Sequence, residues 1–386
     1  MDRSFLAAKD LIVADRRLVR KLGAGRFASV WRAEASSPAA AAAVGGDAMD
    51  VDSTRPRAVK IFRNEKYSIK AFADEMAILN LIAKSPECEN IVKMYNSGIF
   101  YANDPVRIHP WIEMRMEGGN AYNLLDHCRK THQCAVPDHL VKIIARDTAK
   151  GLAYLRNLNI IHGDIKPDNL LLDRSIEEID HSDEIVVRIS DFGSSMLVGS
   201  EECAPGTTAY RPPEVIADHS TFDCSVDTWS LGTTVFELLT GCVLFNYDEP
   251  NIAFEPPGTS DDEASDSDND DDNDSDDIYT DDAADDDDTE HDRIIMYVIE
   301  RLLGRAPKEI RSIFDDVYDD AGNIIGMAYP ASPISLVSVL GEIYGIADAD
   351  SAADLIMLCL RYRPQERALP SHLIGHRWFA SCFSGP

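Results

Sequence analysis

The 386-residue chain carries no basic surplus: 37 Lys and Arg stand against 67 Asp and Glu, for a formal charge of −30. A surface for direct nucleic-acid binding is therefore not expected. Long apolar runs are missing too. The start, Met1-Asp2-Arg3-Ser4-Phe5-Leu6, is interrupted by charge and shows neither a signal peptide nor a membrane span. The eight cysteines include no CxxC pair. Free thiols in a reducing compartment follow, so the expected location is intracellular, cytoplasmic and/or nuclear. His127, Cys128, His132, Cys134 and His139 lie close together in sequence, but their spacings match no zinc module.

The acidity is local. Residues 248–292 hold 22 Asp and Glu with no Lys or Arg, which leaves the remainder of the chain at −8. Such a stretch cannot bury enough apolar area to fold. It reads as a disordered acidic insertion, either a solvated linker or a polyanion that concentrates basic proteins. A second insertion, residues 35–57, has an Ala/Ser bias with five alanines at Ala39–Ala43, and reads as a surface loop without assigned function.

What the chain does possess is an ordered series of polar motifs. His162-Gly163-Asp164-Ile165-Lys166-Pro167-Asp168-Asn169 is followed by Asp191-Phe192-Gly193. Two carboxylates, an amide and an ammonium on neighbouring loops can hold Mg²⁺ against a nucleotide and orient a hydroxyl towards it. Upstream lies Leu22-Gly23-Ala24-Gly25-Arg26-Phe27-Ala28-Ser29-Val30, where glycines without Cβ allow backbone to bend closely over phosphates. Next comes Ala58-Val59-Lys60-Ile61, an apolar strand with one lysine. A half-buried ammonium there requires an anionic partner. Glu75, with Met76, Leu79 and Ala83 marking an apolar helix face, is the candidate; Asp74 is the alternative.

Taken in this order, the motifs resemble the eukaryotic protein kinase family, from about Arg17 to Phe379. The resemblance implies an α+β, bilobal fold. After a lead-in over 1–15, a small antiparallel β-sheet lobe with one main helix spans 16–116, and a mainly α-helical large lobe spans 117–386. The implied ligands are ATP and Mg²⁺, with adenine near Ala58, Met116 and Leu171 and phosphates under residues 22–30. Lys60 would hold phosphates and pair with Glu75. Asp164 would orient the substrate hydroxyl, Lys166 would neutralise the transferring phosphoryl, and Asn169 and Asp191 would be the metal ligands. Asp227, and the pair Glu214–Arg367, resemble the family's structural supports.

Lys166 and Thr207 resemble serine/threonine kinases. Val136–Ile144, Gly151–Leu155, Leu302–Pro307 and Leu336–Tyr344 resemble the SR protein kinases of the CMGC group, whereas Asp191–Ser195 resembles the dual-specificity branch. The expected partners are protein substrates, basic or Arg/Ser-rich, and the expected state is a monomer. Asp168 replaces a glutamate that meets substrate arginine in relatives, and Glu117 and Glu290–Asp292 are further candidates for negative charge. Gly163 stands where the family usually has an arginine that binds a phosphorylated activation loop. An enzyme active without loop phosphorylation is expected. A proline-directed or dual-specificity kinase, and a pseudokinase scaffold with an acidic binding loop, remain the alternatives.

Overall fold

The computed structural model describes residues 9–36, 55–102, 107–179, 184–200, 206–217, 222–248, 254, 287–314, 316–327 and 333–382. Most of both insertions lies outside these residues.

Alternating side chains build the first layer. Strands β1 (Ile12–Val13), β2 (Arg16–Ala24), β3 (Ala28–Ala35), β4 (Arg57–Phe62), β5 (Met94–Ala102) and β6 (Arg107–Arg115) form an antiparallel sheet in the order β1-β2-β3-β4-β6-β5. The sheet starts at Ile12, so the lead-in read as 1–15 already contains a strand, closed by the pairing of Val13 with Arg16. Val13, Leu18, Trp31, Ala33, Val59, Ile61 and Trp111 pack on one face of the sheet. Lys60 is directly opposite Val30 on one side and Ile112 on the other, and Ala58 is opposite Met114. Directly opposed residues share a face, so Lys60 emerges on the other face, towards helix α1 (Lys66–Ala83).

Helix α1 is seated by Phe72 edge-on to Phe62, with ring centroids 5.3 Å apart, and by buried Ile78 and Leu79. Leu79 faces inward as its spacing implies, Met76 is half-buried, and Ala83 in the last turn is exposed. The apolar face is therefore centred one turn earlier than the sequence pattern suggested.

Below the sheet the chain becomes mainly helical. Strand β7 (Gly119–Asn120) leads into α2 (Ala121–His132), whose N-terminus is closed by reciprocal Asn120 and Asn123 bonds. Helix α3 (Asp138–Asn157) and β8 (Ile160–Ile161) follow, then β9 (Leu170–Leu172), β10 (Val187–Ile189) and β11 (Met196–Leu197). The order β10-β9-β7 makes a small sheet beneath the cleft, and β11 pairs with β8. Helix α4 (Ser225–Thr240) has every residue buried, so it is the axis of this lobe, closed by left-handed Gly241. Helix α5 (Asp287–Leu303) adds buried Ile295, Met296, Val298 and Ile299 to the same core, and helix α6 (Ala349–Cys359) packs against α4.

Helix α5 begins inside the stretch read as acidic insertion, so its C-terminal boundary lies before Asp287 rather than at Asp292. Carboxylates in a first helical turn are favoured by the helix dipole. An acidic tract can therefore continue straight into a helix, and composition alone does not mark that join. The neck is held by Tyr247 against His291, with centroids 4.2 Å apart, and by Arg301 over Phe254 at 5.0 Å.

One buried ion pair ties the lobe's distant segments together. Arg367 donates to both carboxylate oxygens of Glu214 at 2.5 and 2.6 Å and to the Ser225 carbonyl at 3.3 Å. Truncation of one member strands the other charge away from water. Arg367→Ala should destabilise the fold by about 3–5 kcal/mol, read as a fall in the denaturant midpoint at unchanged slope. A midpoint equal to wild type would contradict this role.

Candidate active site

Lys60 stands at the centre. Its Nζ lies 2.8 Å from Glu75 Oε2, 3.0 Å from Glu75 Oε1 and 2.8 Å from Asp191 Oδ1. A strand, a helix and a large-lobe loop thus meet at one ammonium. Asp74 is exposed and pairs with Lys70 at 3.6 Å, which leaves Glu75 as the partner. Burial alone would lower the Lys60 pKa, but Asp191 and Glu75 outweigh it and hold the amine charged. Burial raises Glu75, with Lys60 opposing that rise. Lys60 pulls Asp191 down from 3.8 to about 2, although half of that side chain (51 %) is open to solvent. Asp191 has φ +61°, a left-handed conformation unusual for a residue with Cβ. Such strain persists only where surroundings enforce it. Here Phe192 is buried 5.2 Å from the His162 ring, and His162 Nε2 is bonded to the Ser190 carbonyl at 2.9 Å.

The second group of residues hangs from α4. Asp227 accepts from the His162 and Gly163 amides at 2.8 and 2.9 Å, which fixes the loop before Asp164. Asp164 Oδ1 accepts from the Thr207 amide and hydroxyl, both at 2.9 Å, while Oδ2 accepts from Asn169 Nδ2 at 3.0 Å and meets Lys166 Nζ at 3.1 Å. Burial opposes ionisation of Asp164, but Lys166 and the two Thr207 donors prevail, and its pKa falls below the ordinary Asp value. A carboxylate so stabilised is a weak base; orienting a hydroxyl suits it better than removing a proton outright. Asn169 also donates to the Asp164 carbonyl at 2.7 Å, and its own carbonyl accepts from the Ser190 amide at 2.9 Å. The loops bearing Asn169 and Asp191 are thereby locked together.

The Leu22–Val30 segment is the β2–β3 hairpin, closed by the Gly25 amide bonding the Ala28 carbonyl at 2.9 Å. A Cβ built on Gly23 or Gly25 meets nothing within 4 Å, and neither φ is positive. The fold itself does not demand glycine there; a ligand approaching the backbone would. Val30 is on the Lys60 face, whereas Ser29 turns away and accepts from Trp31 Nε1 at 3.0 Å. Ala28 is buried opposite Phe62, and Arg26 stacks over Phe27 at 5.3 Å. Leu22, Ala24 and Gly25 are exposed, while Ala58, Met116 and Leu171 are half-buried.

Two readings change. Glu117 is no surface charge for substrate: it is buried, with Arg188 at 3.2 Å and Arg115 at 3.1 Å. Glu237, which the sequence reading passed over, accepts from the Tyr210 hydroxyl at 2.6 Å. Its signal was a second carboxylate, after Asp227, on a helix buried along its whole length.

The family described as "Protein kinase domain" matches residues 17–379, and the chain belongs to that family. Among named relatives, serine/threonine-protein kinase prp4 of Schizosaccharomyces pombe is 28% identical over 51% of this chain and 39% of its own length. Mitogen-activated protein kinase kinase 2 of Arabidopsis thaliana is 36% identical over 47% and 44%. The Aurora kinase of Saccharomyces cerevisiae is 28% identical over 64% and 59%. The chain thus spans about two-fifths to three-fifths of the length of these relatives. A crystal structure of a kinase domain shares the fold, with a TM-score of 0.67 and 20% identity over 97% of this chain and 98% of that one.

The depressed Asp191 pKa fixes the sign of a pH effect. Its contribution to stability is complete above 3.8, and is lost as pH falls towards about 2. The stability difference between wild type and Asp191→Asn should therefore hold above pH 3.8 and narrow below it, as measured by denaturant unfolding across that range. A difference that stays constant through the acid range would contradict the Lys60–Asp191 pairing.

Proposed function

We propose that this chain is a serine/threonine protein kinase that transfers the γ-phosphoryl of MgATP to protein hydroxyls. The observation that carries this reading is Lys60 bonded at once to Glu75 and Asp191, with Asp164 and Asn169 locked to the same loops. In the transfer, the hydroxyl oxygen bonds to the γ-phosphorus, the bond from that phosphorus to the β-bridging oxygen breaks, and ADP leaves with the electron pair. The hydroxyl proton departs by way of Asp164, which orients the attack. Lys166 neutralises charge on the phosphoryl as it moves. Positioning and charge neutralisation supply the rate enhancement.

The metal-binding reading fits the donors present. Asn169 commits its Nδ2 to Asp164, leaving its oxygen as the ligand, and Asp191 commits one oxygen to Lys60, leaving the other. Hard oxygen donors suit Mg²⁺, which keeps phosphate and water ligands besides. Bound there, Mg²⁺ would shield the charge of the phosphates.

Asp164→Ala should reduce kcat on the order of 10²–10⁴-fold while MgATP binding, measured by calorimetry, is retained. Equal transfer by variant and wild type would favour a pseudokinase scaffold with a contaminating activity.

Activity without activation-loop phosphorylation is supported by how the loop is held. Gly163 has φ +81°, and a Cβ there would approach the Ser194 carbonyl to 2.6 Å. The arginine of other members does not fit this arrangement. Instead Ser195 Oγ donates to the His162 carbonyl at 2.9 Å, joining the loops directly. A preference for arginine near the acceptor serine, as in SR-type kinases, is supported by Asp168, which is exposed beside the loop that bears Asp164. Phosphatase-treated enzyme should stay active and, on a peptide array, prefer Arg-Ser over Ser-Pro and acidic contexts. Loss of activity after the treatment would refute the first claim, and a Ser-Pro preference the second.

A further inference from the structure

The ion pair that removed Glu117 from the substrate surface has a place of its own in the cleft. Glu117 directly follows Met116 in the segment joining the lobes, and Arg188 lies three residues before Asp191. Arg188 is directly opposite Leu171 across the β9–β10 pair, and Leu171 is opposite Asn120 across the β7–β9 pair. The guanidinium is thus on the same sheet face as Leu171 and reaches Glu117 Oε2 at 3.2 Å, with both side chains buried. Arg115 Nε lies 3.1 Å from the other oxygen, an ion pair by distance without hydrogen-bond geometry.

The same segment is fixed at both ends. The Arg115 amide bonds the Lys93 carbonyl at 2.9 Å, and the Gly118 amide bonds the Leu172 carbonyl at 2.8 Å. Gly118 runs so close to the Arg174 backbone that a Cβ would lie 2.0 Å from it. Met116 is therefore suspended between two pinned points. A carboxylate this buried is raised in pKa by desolvation, with Arg188 and then Arg115 opposing that rise.

We propose that Glu117 and Arg188 form a latch that clamps the interlobe segment to β10, and so sets the width of the adenine slot between Met116 and Leu171. These are positioning residues: neither touches the reacting atoms. The latch rests on the proposed reading of Met116 and Leu171 as adenine contacts. It adds that nucleotide affinity depends on an ion pair behind the slot, not on the slot's lining alone. Plain structural support is the rival account, and it predicts a loss of stability with no selective effect on nucleotide.

The test is steady-state kinetics with amide hydrogen exchange on Glu117→Gln, Arg188→Gln and the double variant. The double variant removes both buried charges, and so keeps a folded protein in hand if a single variant fails. The latch predicts KM for ATP raised about tenfold, a loss of the order seen when supporting contacts around a binding site are removed. It also predicts kcat within about twofold, an unchanged KM for the protein substrate, and a double variant no worse than either single one. Amide exchange over residues 115–118 should quicken in each variant without nucleotide present. An unchanged KM for ATP, or unchanged exchange, overturns the latch. Faster exchange in the variants, with a wild type that binds no MgATP, overturns instead the reading of the slot, and with it the claim on KM.

Discussion

The Lys60 ammonium is the one charge on which the rest of the site depends. Three elements remote in sequence reach it: β4 supplies it, α1 brings Glu75, and the loop after β10 brings Asp191. A buried ammonium facing a single carboxylate would be only a structural pair. Facing two, of which Asp191 is half open to solvent, it joins a buried pair to a carboxylate at the cleft surface. Breaking such a pair by removing one partner is far costlier than its net worth, because the other charge stays buried. The position of α1 and the strained backbone at Asp191 are consequently coupled.

Rigidity reaches the site from below. Helix α4 is buried along its whole length, and through Asp227 it holds the amides of His162 and Gly163. His162 in turn holds the Ser190 carbonyl and packs on Phe192. One helix thus orients both loops that bear the polar groups. Gly163 belongs to the same economy of space, since the Ser194 carbonyl occupies the volume a side chain would need.

Much of this was legible in the sequence, because its polar motifs are local runs. Asp164, Lys166, Asn169 and Asp191 are set by loops whose residues lie within a few positions of one another. Lys60 with Glu75 was legible because an unpaired ammonium in an apolar strand demands a partner. Glu117 misled, since an isolated carboxylate beside two glycines looks solvated, and only the pairing of β9 with β10 places Arg188 beside it. Glu237 was silent for a related reason: its partner Tyr210 lies 27 residues away, on a loop whose path the sequence does not specify. The join at Asp287 was hidden because acidic residues suit both an unfolded tract and a helix N-terminus.

A structure of the chain with a non-hydrolysable ATP analogue and Mg²⁺ tests the central claim most directly. The account predicts metal density bound by Asp191 and Asn169, Lys60 on the phosphates with its Glu75 contact kept, and adenine against Ala58, Met116 and Leu171. Nucleotide bound elsewhere, or metal density that excludes Asp191, would contradict it.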